Sequence, residues 1–321
     1  MCTAIMYHTK DHYFGRNLDY ETTFGEKVVL MPRRYEFRYK CVKDAMISCN
    51  DYLAMLGMAV LVDGYPLFFD AINEKGLAMA GLHFVGNAYY ALPEQVSDME
   101  DIAPYELIPW VLSQCENVAQ AQMLLQKTRL VAIPFSEEFP LSPLHFMIAD
   151  KESCIVVEPL QDGLKIYDNP VGVLTNNPPF PFHMANLCNY MNLTSEAAVN
   201  RFSDKFPLDA FSRGMGAVGL PGDVSSPSRF VRAAFVLANS VSGDGEKESV
   251  NQFFHILSSV EQVRGCVRLT SDQYEITTYS CCCNLEKGIY YYRTYEDFEI
   301  REVCMREMDL EGRVCILPMR N

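Results

Sequence analysis

Residues 1–20 read Met1-Cys2-Thr3-Ala4-Ile5-Met6-Tyr7-His8-Thr9-Lys10-Asp11-His12-Tyr13-Phe14-Gly15-Arg16-Asn17-Leu18-Asp19-Tyr20. Two β-type runs, Thr3–Tyr7 and Tyr13–Asp19, are separated by a short polar turn, so the second can return antiparallel beside the first. That brings Gly15-Arg16-Asn17-Leu18-Asp19 back to the chain terminus. Further runs at Lys27–Met31, Met55–Val62, Leu67–Ala71 and Leu77–Phe84 are each bounded by Gly, Asp, Asn or Pro, which predicts a meandering antiparallel sheet.

From Pro104 to Thr128 the period changes. Leu107, Val111 and Leu112, then Ala119, Met123 and Leu124, recur every three to four residues and predict a helical hairpin. Strands resume at Leu144–Ala149, Cys154–Glu158, Leu164–Tyr167 and Val171–Thr175, before a loop-rich stretch carrying Gly214, Gly216, Gly219, Pro221 and Gly222. Ser226-Pro227 reads as a helix start, with a hydroxyl cap and proline at the first helical position. A second helix covers about Ser249 to Val263, and strands return at Tyr274–Cys283, Gly288–Tyr295 and Glu299–Met305. Without a repeat or a Ser/Gly linker, this succession predicts sheets layered with helices in one continuous domain, residues 2–321.

The 321 residues, 49% hydrophobic and 21% charged, can bury a sizeable core. Twenty-seven basic against forty-one acidic residues give a net charge of −14, which argues against nucleic acid because phosphate binding needs clustered Lys and Arg. The N-terminus has no basic start followed by an apolar stretch, so a cytoplasmic location is expected. The longest clean apolar run, Leu53 to Val62, is ten residues, and a span takes about 20, so no membrane segment is expected. Twelve scattered cysteines in such a chain predict free thiols.

Several motifs reduce to ordinary structure. Gly214-Met215-Gly216-Ala217-Val218-Gly219 matches a dinucleotide fingerprint but neither follows a strand nor opens a helix, so it reads as a glycine loop. Cys281-Cys282-Cys283 sits in a strand, where alternation sends the middle thiol to the opposite face, and buried small hydrophobes are expected rather than metal ligands. A thiol protease built on an internal cysteine with His145 or His255 is a remote alternative.

Cys2 is different. Removal of Met1 would leave a thiol and a free α-amine on one residue, and the amine, with a reference pKa of about 7.7–8.0, can serve as base for its own side chain. Arg16 beside it would favour the thiolate, and Asp19 could orient the amine. Arg229 lies in the first turn of the predicted helix, where the macrodipole disfavours a cation, so an anionic partner is expected there.

Together these residues identify a resemblance to the choloylglycine hydrolase family, the bile salt hydrolases and penicillin V acylases among the N-terminal nucleophile hydrolases. It is carried by MCTAI at 1–5, FGRNLD at 14–19, INEKGLAMAGL at 72–82, DNPVGVLTNNP at 168–178, GLPGDVSSPSRFVRA at 219–233, FFHIL at 253–257 and LEKGIYYYRTYE at 285–296. The resemblance implies an α+β, four-layer αββα fold, a Cys nucleophile, no cofactor or metal, and a homotetramer. It makes Cys2 the nucleophile, Arg16 and Asp19 its partners, Asn176 the oxyanion-hole asparagine and Arg229 the remaining catalytic arginine. One position departs: where bile salt hydrolases carry an oxyanion-hole Asn and penicillin V acylases usually a Tyr, this chain has His83. Its ring nitrogen can still donate, and its reference pKa near 6.5 would add an acid-side pH dependence. Leu18, Phe24, Val62, Ile133, Phe135, Phe139 and Leu141 are the implied acyl-pocket residues. The implied substrates are glycine- or taurine-conjugated bile salts first and penicillin V or another N-acyl amide second. The rival from another class is a catalytically weak binder of apolar ligands.

Overall fold

The computed structural model describes residues 1–41, 51–95 and 97–319, and its organising unit is the opening hairpin. β1 (Cys2–His8) and β2 (His12–Tyr20) pair antiparallel along their length, with Cys2 opposite Leu18 and Ala4 opposite Arg16. Gly15 lets β2 take a neighbour on its other side: a Cβ there would lie 2.0 Å from the carbonyl oxygen of Cys281. The meander follows as β3 (Lys27–Met31), β4 (Met55–Val62), β5 (Tyr65–Asn73) and β6 (Ala78–His83). Next come β7 (Glu100–Ile102), α1 (Leu107–Leu112), α2 (Val118–Leu125) and β8 (Thr128–Leu130). Strands β9 (Leu144–Ala149), β10 (Cys154–Leu160), β11 (Gly163–Asp168) and β12 (Val173–Leu174) precede helix α3 (Phe180–Leu187). The chain continues through α4 (Ser226–Asn239), α5 (Glu246–Ser258), β13 (Ile276–Asn284), β14 (Ile289–Thr294), β15 (Arg301–Cys304) and β16 (Cys315–Pro318).

One sheet has the order β12-β1-β2-β13-β14-β15 and the other β11-β10-β9-β6-β5-β4-β3-β16, while β7 and β8 form a small parallel pair. Helices α4 and α5 pack on the first sheet and α1 on β5 and β6 of the second. One core, including Leu56, Met58, Phe230 and Phe253, fills the space between the sheets and under α4 and α5. Another, around Trp110, Leu107 and Phe146, lies beneath α1 and α2. This is the expected αββα sandwich. Strands covered on both faces lose the polar alternation of a half-exposed sheet, which is why β1 is buried at every position but His8.

Strands β3, β4 and β9 end where their turn residues predict. Leu53 to Val62 is largely β4, and no helix among the described residues is long and apolar enough to cross a membrane. Cys281, Cys282 and Cys283 are at most 2% exposed within β13, and the described cysteines are all free. Gly214, at φ +79°, leads only into a single 3-10 turn at Met215–Ala217.

Other expectations are corrected. Helix α5 spans Glu246–Ser258 rather than about Ser249 to Val263, because Glu248 accepts a bond from the Gly245 amide at 3.3 Å and so fixes an earlier start. Ser225, not Ser226, occupies the cap position of α4, and no side chain caps it. The Ser226 hydroxyl instead accepts from the Asn176 amide at 2.9 Å and meets Thr175 Oγ1 at 2.9 Å. Short β7, β8 and β16, and helix α3, were not expected.

Candidate active site

Cys2 is 4% exposed and opens the first strand at one end of a cavity of about 490 Å³. Arg16 and Leu18, on the neighbouring strand, and Tyr279 and Cys281 beyond it share the face that looks toward the second sheet. On that sheet β5 and β6 pair only from Asp70 opposite Ala80 to Ile72 opposite Ala78, and Phe69 is the extra residue of a bulge against β4. Past Asp70 the strands part. Arg16 fills the gap, donating from Nη1 to the carbonyl of Phe69 at 3.1 Å and to that of Gly81. Burial alone would pull its guanidinium down, but Cys2, followed by Tyr279, Asp70 and Cys281, pushes it up, so Arg16 stays charged.

Arg229 reaches β1 from the helix side. Nη1 donates to the Cys2 carbonyl and to Thr3 Oγ1 at 2.6 Å, and Nη2 donates to Asn176 Oδ1 at 2.7 Å. The anionic partner expected of this cation is Asp19, whose Oδ2 lies 4.0 Å away with both side chains fully buried. Arg229 therefore orients the Cys2 backbone and Asn176, while Arg16 approaches from the opposite face of the strand.

Asn176 is held at every polar atom. Its amide donates to Ser226 Oγ, and its carbonyl accepts from His183 Nε2 at 2.9 Å. Oδ1 accepts from the Cys2 backbone nitrogen at 2.8 Å as well as from Arg229, which fixes the orientation of the side-chain amide. Nδ2 donates to the His83 carbonyl at 2.8 Å, which leaves its second hydrogen free to donate. Burial lowers the His183 ring to about 4, so it is neutral near pH 7 and donates from the nitrogen facing the carbonyl.

Asp19 is held from two sides. Its Oδ1 accepts from Thr277 at 2.6 Å, made possible by a bulge at Thr278, and its backbone carbonyl accepts from the Met1 ammonium at 2.8 Å. The ammonium also pairs with buried Glu275. Sequence reasoning missed Glu275 and Ser226, which meet the site through contacts distant along the chain, and His183, which reaches back seven residues to the Asn176 carbonyl.

Among the expected acyl-pocket residues, Leu18, Phe24, Phe135, Phe139 and Leu141 line the cavity, with Tyr20, Val60, Phe69 and Tyr105. Val62 does not: it shares the face of Val60 but pairs with Tyr65 at the hairpin end, beyond the cavity. Ile133 does not either, because the loop joins the wall only at Phe135, whose ring packs 5.3 Å from Tyr105 and 5.6 Å from Tyr65. A larger groove of about 890 Å³ runs past Met6, Tyr7 and Cys154, but burial pushes the Cys154 thiol up and keeps it protonated. His145 commits both ring nitrogens, to Glu158 at 3.1 Å and to the Thr175 carbonyl at 3.0 Å, so it is no base for a thiol protease. No group of three or more His, Cys, Asp or Glu among the described residues could hold a metal ion.

His83 lines the cavity beside Tyr20, with ring centroids 6.0 Å apart. Burial, then the N-terminal ammonium, Arg16 and His145, lower its ring from 6.5 to about 4. The acid-side dependence expected near its reference value moves down accordingly: His83 is neutral above about pH 5.5 and gains its charge only toward pH 4. The pH–rate curves of the native protein and His83→Asn should therefore share one shape above about pH 5.5, whatever their heights. A native limb near pH 6.5 that the variant lacks would contradict this.

The family model of the linear amide C–N hydrolases, choloylglycine hydrolase family, matches residues 2–317. The chain belongs to the choloylglycine hydrolase family. It is 50% identical to the bile salt hydrolase/transferase of Lactiplantibacillus plantarum over 322 aligned positions, covering 100% of this chain and 98% of the relative. Among solved structures of the fold, the C2A mutant of conjugated bile acid hydrolase from Clostridium perfringens superposes with a TM-score of 0.89 at 37% identity, covering 100% of this chain and 97% of that one. Penicillin V acylase from Agrobacterium tumefaciens has the same fold, with a TM-score of 0.77 at 20% identity and coverage of 99% and 91%. In this choloylglycine hydrolase the arrangement places a thiol, two buried guanidinium groups and an oriented side-chain amide around the first strand.

Proposed function

We propose that this choloylglycine hydrolase cleaves the amide bond of glycine- or taurine-conjugated bile salts through a thioester on Cys2. The observation carrying this reading is the double tether on Asn176 Oδ1, which aims Nδ2 at the place where charge develops. Met1 is removed first, and the nitrogen already bonded to Asn176 becomes an α-amine. The Cys2 thiolate attacks the amide carbonyl, the C–N bond breaks, and the α-ammonium gives its proton to the leaving amine. Water then attacks the thioester, the α-amine takes the water's proton, and the thiolate departs with the free acid released. Arg16 and Arg229 supply the local positive field that an anionic substrate needs on a chain of net charge −14.

The apolar wall of Leu18, Phe24, Phe135, Phe139 and Leu141 suits a steroid face, and a volume near 490 Å³ falls in the range of small-molecule sites, about 300–1,000 Å³. Bile salt hydrolysis is favoured over a silent binder because Asn176 keeps a donor with or without His83. The decisive measurement is product release from glycocholate, taurocholate and phenoxymethylpenicillin in parallel. Release of glycine or taurine is expected at the highest kcat/KM, and release of neither, from protein whose Met1 is gone, would sink the reading.

The same reading includes action as one unit over residues 2–321, in the cytoplasm, as a homotetramer. Free thiols agree with a reducing compartment. Met191, Phe202 and Phe211, on the long segment between α3 and α4, are more than 80% exposed and agree with burial against further copies.

A further inference from the structure

Between the two sheets, directly beyond Arg16, lies a buried acidic group outside the mechanism described above. Asp70 of β5 is 2% exposed and receives three donors from the opposite sheet. Tyr290 donates to Oδ1 at 2.6 Å, Cys281 Sγ donates to Oδ1 at 3.3 Å, and Tyr279 donates to Oδ2. Asp70 follows the bulged Phe69, whose carbonyl holds Arg16, so the bulge sets both groups at the point where β5 and β6 separate. Arg16 thus sits among Cys2 of β1, Tyr279 and Cys281 of β13 and Asp70 of β5, while Asp70 faces Arg16, Tyr279, Tyr290, Cys281 and Cys283. No direct ion pair joins Arg16 to Asp70, and Nη2 of Arg16 has no hydrogen-bond partner among the described residues.

A guanidinium sealed from water needs a counter-charge even when Cys2 is a neutral thiol. Burial pushes the Asp70 carboxyl up, and against it the Arg16 cation, the two hydroxyls and the thiol converging on the carboxyl hold the ionised form. We propose that Asp70 acts on Cys2 through Arg16: its carboxylate offsets part of the guanidinium's charge, limits how strongly the thiolate is stabilised, and so keeps the sulfur nucleophilic. Asp70 is a positioning residue and touches neither substrate nor sulfur. The inference rests on the acyl-transfer reading, since it gives Cys2 the attacking role.

Removing the negative charge leaves the positive field of Arg16 at the sulfur less opposed. The thiolate then forms more readily at mildly acid pH, but a better-stabilised thiolate attacks more slowly, by about threefold for each tenfold gain in stabilisation. Two readouts should therefore move in opposite directions in Asp70→Asn. Iodoacetamide labelling of Cys2 at about pH 6, followed by mass at the N-terminal peptide with exposed Cys188 as internal reference, should accelerate several-fold. In the same preparation, kcat for glycocholate at its optimum pH should fall about threefold with KM little changed.

A residue that only packs the sheets together would lower both rates, and that result overturns the proposal, as does labelling at the native rate. Should Asp70→Asn fail to fold, Tyr290→Phe decides by the same pair of measurements. It removes one donor from the carboxylate, favours its neutral form, and should give smaller changes with the same signs. Labelling needs no substrate, so inactivity of the native protein toward conjugated bile salts would refute the function while the effect of Asp70 on Cys2 remained readable.

Discussion

Protein that retains Met1 is expected to release no glycine from glycocholate, and Cys2→Ala is expected to be equally silent, each losing activity on the order of 10⁶-fold as when a nucleophile is removed elsewhere. With Met1 present, the nitrogen of Cys2 is a peptide amide that donates to Asn176 Oδ1. It has no lone pair available for a proton. Met1 also stands beside the sulfur with its ammonium on the Asp19 carbonyl and on Glu275, so it obstructs the amine side of the site. Expression with a methionine aminopeptidase inhibitor would yield such material, and intact mass would separate it from the mature chain. Undiminished turnover in the Met1-bearing fraction would refute the mechanism.

The second large effect belongs to Asn176. Asn176→Ala is expected to lower kcat about 10²–10³-fold while KM changes little, because the lost donor acts on charge that exists only in the transition state. Asn176 also holds the Cys2 nitrogen and Arg229, so alanine removes an acceptor as well as a donor. Asn176→Asp separates the two: it keeps the acceptor for both neighbours and loses the N–H group. A comparable kcat loss in both variants assigns the effect to the donor. Near-native turnover in Asn176→Asp would remove Asn176 from the oxyanion site.

Much of this arrangement was legible in the sequence where local chemistry is decisive. The opening hairpin follows from its turn and from the period of its flanking runs, and the cation in the first turn of α4 pointed to a nearby carboxyl, where Asp19 lies. The cap of α4 was misplaced because Ser225 and Ser226 offer two hydroxyls before Pro227, and only the fold shows that one of them is committed to Asn176. The same limit hid Glu275, whose partner Met1 stands far away along the chain. Leu18 and Phe135 were identified by resemblance, whereas Val62 and Ile133 failed because the cavity's extent depends on how far β5 and β6 stay paired. Edge strands such as β16 are too short to declare themselves by period.

That divergence of strands also changes how Arg16 should be regarded. A sheet that stops pairing in its interior leaves carbonyls that water or protein must satisfy. Here a single guanidinium nitrogen stitches the tear, Nη1 donating to the carbonyls of both Phe69 and Gly81 while the charge lies beside Cys2. Scaffold integrity and chemical competence are thus welded into one side chain, and neither can drift during evolution without dragging the other along.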